Sequence, residues 1–233
     1  MKKLCLAIGF FALVLPMKAQ ETSGATFSAG ADVVSSYVFR GTLQEAFPGV
    51  NVQPGLGVSA GGFSLGAWGS TSIYSGAKEV DLAVGYEIAG VKIGITDYWI
   101  VDNGTKYFEA IKDSHVFEAN LSYTFPEAFP LTISWNTNFA GADAVDAGGD
   151  ALYSTYVGLT YPFAVKGVDL EAEVGFTPWE GAYADNFNLV NVSLKASKEV
   201  KITDHFALPV FAQYSINPYL EDANLVFGTG ISF

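Results

Sequence analysis

The chain has 233 residues, half of them apolar and 15% aromatic, with 12 basic against 24 acidic side chains and a formal net charge of −12. An acidic surface repels phosphate backbones, which argues against nucleic acid as a partner. Past the first fifteen residues no apolar run approaches the roughly 20 residues of a membrane-crossing helix, and no phosphate loop, zinc signature or nucleotide fingerprint occurs.

Lys2 and Lys3 precede an unbroken apolar run from Leu4 to Leu15, followed by Pro16 and the small Ala19. That is the layout of a secretory signal peptide, with cleavage expected after Ala19. Cleavage would take the basic count from 12 to 9 and the net charge from −12 to −15, since Lys2, Lys3 and Lys18 are lost. The single Cys5 lies in the apolar run, so no disulfide, thiolate nucleophile or cysteine metal site is expected beyond it. Residues 20–25 read as a short periplasmic lead-in, and 26–233 as one domain.

From there period-2 alternation recurs in segments of about ten residues, the length with which a tilted strand crosses a bilayer. The predicted strands are 26–40, 50–60, 63–73, 79–88, 91–101, 115–125, 131–140, 151–162, 168–178, 187–198, 205–216 and 224–233. In 79–88, Val80, Leu82, Val84, Tyr86 and Ile88 oppose Asp81, Ala83, Gly85 and Glu87. In 115–125, Phe117, Ala119, Leu121, Tyr123 and Phe125 oppose Glu118, Asn120, Ser122 and Thr124. Short connections (61–62, 89–90, 126–130) alternate with longer ones (41–49, 102–114, 141–150, 179–186, 217–223). The expected fold is all-β: one closed up-and-down antiparallel transmembrane barrel of about 12 strands. Pro54 and Pro209 fall inside predicted strands, where proline removes a ladder donor, so ten strands remain open. Aromatics at the strand ends, Tyr37, Phe39 and Trp99 among them, suggest girdles at two membrane rims.

Ser36, Tyr37, Phe39, Arg40 and Gly41, with Gln44 three residues on, form a Ser-x-Tyr-x-aromatic-Arg-Gly pattern at the end of the first predicted strand. This segment resembles the N-terminal signature of the TorF-like putative porin family. The resemblance implies an outer-membrane, porin-like protein whose substrate is mostly undefined. The terminal Phe233 is similar to the aromatic signal read by barrel-assembly machinery. That machinery, with outer-membrane lipid and lipopolysaccharide, makes up the expected partners, alongside a small polar solute or ion.

Counting outward positions from Phe27 through Ala29, Ala31, Val33, Tyr37 and Phe39 sends Asp32 and Arg40, the only arginine, inward. The same count gives Asp32, Asp81, Glu87, Glu118, Asp169, Glu171 and Glu173 as inward acids, and Arg40, Lys92 and Lys195 as inward bases. A lumen of that balance favours cations. The expected function is passive passage of small hydrophilic solutes or ions, with no catalytic residue, metal or cofactor. The alternatives are a plugged barrel with a structural or adhesive role and, third, an outer-leaflet lipid hydrolase. The hydrolase needs a base beside its nucleophile; His115 and His205 show no carboxylate at useful spacing, and Ser114 points away from His115 on a strand. Asp143, Asp146 and Asp150 lack the ligand spacing of a calcium loop and read as a solvated acidic loop.

Overall fold

The computed structural model describes residues 20–22, 24–45, 48–76, 78–101, 106–109, 111–204 and 206–232. The signal segment, His205 and Phe233 lie outside the described residues.

Among the described residues fifteen strands form: β1 (Gln20–Thr22), β2 (Ala25–Val34), β3 (Val38–Phe39), β4 (Thr42–Leu43), β5 (Asn51–Ala60), β6 (Phe63–Ser72), β7 (Lys78–Ile88), β8 (Val91–Val101), β9 (His115–Thr124), β10 (Thr132–Gly141), β11 (Thr155–Val165), β12 (Val168–Thr177), β13 (Asn188–Lys201), β14 (Ala207–Asn217) and β15 (Asp222–Ser232). A single helical turn, α1 (Ile111–Ser114), precedes β9. β2 and β5 to β15 make a closed wall of twelve antiparallel strands. Each pairs with its sequence neighbour, and β15 returns to β2 with Gly228 opposite Val34 and Ser232 opposite Gly30. Closure leaves no edge strand with unpaired N–H and C=O groups. β1 lies along the start of β2, Thr22 opposite Ala25, and pairs the stretch that β15 does not reach.

The count of twelve stands despite the prolines, because each falls where a ladder is already broken. The β5–β6 register skips Gln53 and Pro54. Pro209 precedes the first β14–β15 pair, Val210 with Thr229. The two-residue turns 61–62, 89–90 and 166–167 all lie at one end of the barrel, and the connections 35–50, 102–114, 142–154 and 178–187 at the other.

The radial distribution is the reverse of a water-soluble core. Among the described residues 23 buried side chains are polar or charged and seven are apolar. Asn51, Ser70, Asn120, Ser134, Asn136, Asn191 and Ser215 face inward, while Leu56, Leu65, Ile93, Leu121, Leu194 and Leu225 are exposed on the outer face. Alternation on each strand produces this directly, since successive side chains point to opposite faces.

One expectation fails. The first strand stops at Val34 instead of running to residue 40, and residues 35–45 turn inward. Ser35 carries the β15 pairing one step further, its N–H donating to the Phe227 carbonyl at 2.8 Å and its Oγ accepting from the Phe227 N–H at 3.0 Å. Beyond it the chain leaves the wall. Tyr37 and Phe39 therefore belong to the interior and not to an outer girdle, and the inward count no longer applies to Arg40.

Candidate functional site

The inward segment is a small hairpin. β3 and β4 pair Val38 with Leu43 and Phe39 with Thr42. The two tip residues both lie in the left-handed region, Arg40 at φ 50° and Gly41 at φ 80°. Two successive positive φ values are what a two-residue hairpin turn matching strand twist requires. Glycine adopts such a φ freely; arginine does so at a cost on the order of 1–3 kcal/mol. The second position is closed to any other residue for a further reason: a Cβ on Gly41 would strike the Val190 carbonyl of β13. The Arg-Gly pair of the motif is thus a turn that delivers a guanidinium into the lumen.

The hairpin crosses the barrel. The Tyr37 ring packs on Trp68 of β6 with centroids 5.4 Å apart, and its hydroxyl donates to Glu79 of β7 at 3.3 Å. Phe39 meets Tyr98 of β8 at 5.9 Å. On the far side Asn217, at the end of β14, donates to the Thr42 hydroxyl at 3.3 Å. The returning chain is tied down by Glu45, which accepts from Asn51 and from the Ser72 hydroxyl.

Arg40 is the centre of this arrangement. Its guanidinium forks onto Glu118 of β9, Nη1 donating to Oε2 and Nη2 to Oε1 at 2.9 Å. Nη1 also donates to the Tyr183 hydroxyl in the 178–187 connection. The Phe39 and Tyr156 rings lie 4.6 and 4.7 Å from the guanidinium carbon. Glu118, 1% exposed, accepts further bonds from Tyr98 at 2.9 Å and Asn120 at 2.6 Å. A bidentate pair satisfied on all sides is the form in which a buried ion pair tolerates loss of water. The polar network continues through Asn191, which donates to the Tyr156 hydroxyl at 3.0 Å and accepts from Ser215 at 3.1 Å. Tyr156 in turn donates to Glu173.

The remaining charged residues singled out in the sequence are distributed as follows. Asp81 is buried on the inner face of β7 near the long-loop end. Asp32, Glu171, Glu173 and Lys195 are half-buried on the inner face; Glu171 faces Lys195 across β12 and β13, and the Lys195 ammonium sits 4.4 Å from the Phe211 ring centroid. Glu87 and Lys92 face each other across the 89–90 turn, Glu87 exposed, and Asp169 lies just past the 166–167 turn. Within the motif, Ser36 is buried, and Gln44 is exposed with its N–H donating to the Tyr37 carbonyl at 2.9 Å. The hairpin therefore joins Arg40 to Glu118 but not to Asp32.

Several members of this network were not singled out in the sequence: Glu79, Tyr98, Tyr156, Tyr183 and Glu45. Glu79 was within reach, because it lies two residues from Asp81 and shares its face. Tyr183 was not, because it sits in a connection with no periodicity.

A second polar cluster lies on the outer face beneath the 106–114 segment and corrects the expectation that His115 lacks a carboxylate. His115 Nδ1 is 2.7 Å from Asp97 Oδ1, and its Nε2 is 2.8 Å from the Tyr107 carbonyl. The Tyr107 hydroxyl donates to Asp97 Oδ2 at 2.7 Å. Burial, with the bond to and charge of Asp97, pushes the Tyr107 phenol up to about 12. Asp97 and His115 are offset by two residues from direct register, a relation that alternation alone does not reveal. Both ring nitrogens are engaged, and the arrangement pins the connection to the wall. In the acidic loop, Asp143 accepts from Asn138 at 3.1 Å and from the Ser154 N–H at 2.9 Å, while Asp146 accepts from the N–H groups of Gly148 and Asp150. These carboxylates organise loop backbone.

Among solved structures, an outer membrane channel from Pseudomonas putida F1 is similar at 12% sequence identity, with 92% of this chain and 96% of that chain covered and a TM-score of 0.46. No curated protein matches. Residues 18–208 match the model of the family described as "Bacterial protein of unknown function (Gcw_chp)", and the chain belongs to that family.

Proposed function

We propose that this chain is an integral outer-membrane channel that passes small hydrophilic solutes or ions, preferring cations, through a lumen narrowed by the 38–43 hairpin. The observation that carries the reading is the inverted barrel: apolar side chains outward, and amides, hydroxyls and carboxylates inward around a closed ring. Such a wall satisfies its backbone internally and gives hydrocarbon an apolar surface, as a membrane-spanning barrel must. The signal-peptide layout of residues 1–19 and the resemblance of residues 36–44 to TorF-like porins support export to that membrane. Selection would come from the radius beside the hairpin and from lining charge, with no bond made or broken. Nine inward acids among the described residues, Glu45 and Glu79 included, outnumber Arg40, Lys92 and Lys195, and Arg40 is already paired with Glu118.

A second reading, a plugged barrel, has its own support in the burial of Glu118, Asn136 and Ser215 around the hairpin. Single-channel recording of refolded protein in planar bilayers separates the two. The channel reading expects small steps with a reversal potential on the cation side. Absence of steps favours the plug, and anion preference refutes the sign of the lumen charge.

A further inference from the structure

The outer face of the wall carries a long groove of about 610 Å³, almost wholly apolar. It runs from Val168, just past the 166–167 turn, to Val50, just ahead of β5. On the way it crosses β13, β14, β15 and β2, about 24 Å at the usual strand spacing. Register explains the dip. Ala196 of β13 lies opposite Ala212 of β14, where the adjoining outward row has Leu194 opposite Tyr214. Two methyl groups thus stand beside two large side chains.

Lys198 brings a charge into this groove. Its outward neighbours along β13 are Ala196 and Val200, and Val210 lies opposite on β14. It stands one step past the Ser197–Asp169 pair, level with the start of β12. Among the described residues its ammonium enters no ion pair, and no acid lines the groove. A lysine on a lipid-facing wall is tolerated at the rim, where its stem lies along apolar surface and its head reaches the headgroup level.

These features describe an occupant. A long apolar groove within the usual ligand-site range of about 300–1,000 Å³ fits a hydrocarbon chain. A lone ammonium at its rim end attracts an anionic headgroup. A second copy docked here about a twofold axis would bring its own Lys198 to the contact, with no carboxylate in the groove to receive it.

We infer that the groove holds one phospholipid of net negative headgroup from the leaflet at the short-turn end, its phosphate on Lys198 and one acyl chain lying over Ala196 and Ala212. The site rests on the proposed membrane-spanning wall and is independent of whether the lumen conducts.

Native mass spectrometry of the refolded full chain tests this, after release from micelles holding equal amounts of phosphatidylglycerol and phosphatidylcholine with the same acyl chains. The expected result is one retained lipid per chain, phosphatidylglycerol several-fold over phosphatidylcholine. Lys198→Gln should abolish that preference and Lys198→Arg should restore it. Ala212→Leu, which fills the floor, should lower retention several-fold, whereas Ala119→Leu on the outer face of β9 should not. No retained lipid, equal retention of the two lipids, a preference unchanged by Lys198→Gln, or retention unchanged by Ala212→Leu overturns the site. Flotation of the chain with liposomes reports on the wall separately. Flotation without retained phosphatidylglycerol removes the site and keeps the membrane-spanning wall; a folded chain that does not float removes both.

Discussion

At the long-loop end of the lumen, Arg40, Glu118, Tyr98 and Asn120 are locked in bonds whose partners come from the wall and the inserted hairpin. Towards the short-turn end, Glu171 and Lys195 line the same wall half-buried, with no hairpin across them. Both regions have the same polar alternation and the same antiparallel ladder. The difference is sixteen residues, 35–50, that leave the wall at Val34 and return at Asn51. The wall makes the molecule a barrel; the inserted segment occupies the long-loop half of its interior.

The comparison breaks most readily at Arg40. Arg40→Ala leaves the Glu118 carboxylate buried without its partner, and breaking a buried pair costs about 3–5 kcal/mol. Denaturant unfolding in micelles should show that loss, and Glu118→Gln combined with Arg40→Ala should recover part of it. Gly41→Val is expected to cost about 2 kcal/mol or more, because the tip would lose its permitted φ and collide with β13. On the outer face, Asp97→Ala leaves His115 and Tyr107 each short of a partner, for a loss of about 1–3 kcal/mol. Proteolysis of the 102–114 connection should then become faster while the lumen network is unchanged. At the short-turn end Lys195→Ala should change stability by no more than about 1 kcal/mol, as for partly solvated charges elsewhere. The smallest effect concerns the 142–154 loop. Backbone N–H donors from Asp150, Gly148 and Gly149 hold the Asp146 carboxyl below its ordinary 3.8. Its ordering of the loop is therefore complete above that value and fades as pH falls through the lowered one. Asp146→Ala should abolish this acid-side loosening, read by amide exchange at Gly148 and Asp150, and leave barrel melting unaltered.

Much of the wall was legible from residue order. Alternation and short turns such as Gly61-Gly62 and Ala89-Gly90 locate eleven of the twelve strands to within a few residues, because a face that must be apolar and a face that must be polar leave a period of two. The first strand ends earlier than its parity suggests because Tyr37 and Phe39 keep the apolar parity, and Ser36 and Arg40 the polar one, after the chain has left the sheet. Parity fixes which face a residue takes but not which neighbour it meets. The pairings of Arg40 with Glu118 and of Asp97 with His115 depend on register and on a tertiary fold-back, and neither leaves a local trace.

The account turns on the hairpin as the constriction. The most direct measurement is single-channel conductance in planar bilayers before and after residues 38–43 are replaced by a short Gly-Ser bridge, with Glu118→Gln added to remove the stranded charge. The expected result is a several-fold larger conductance with weaker cation preference in the shortened barrel. Equal conductance and equal selectivity in the two proteins would contradict it.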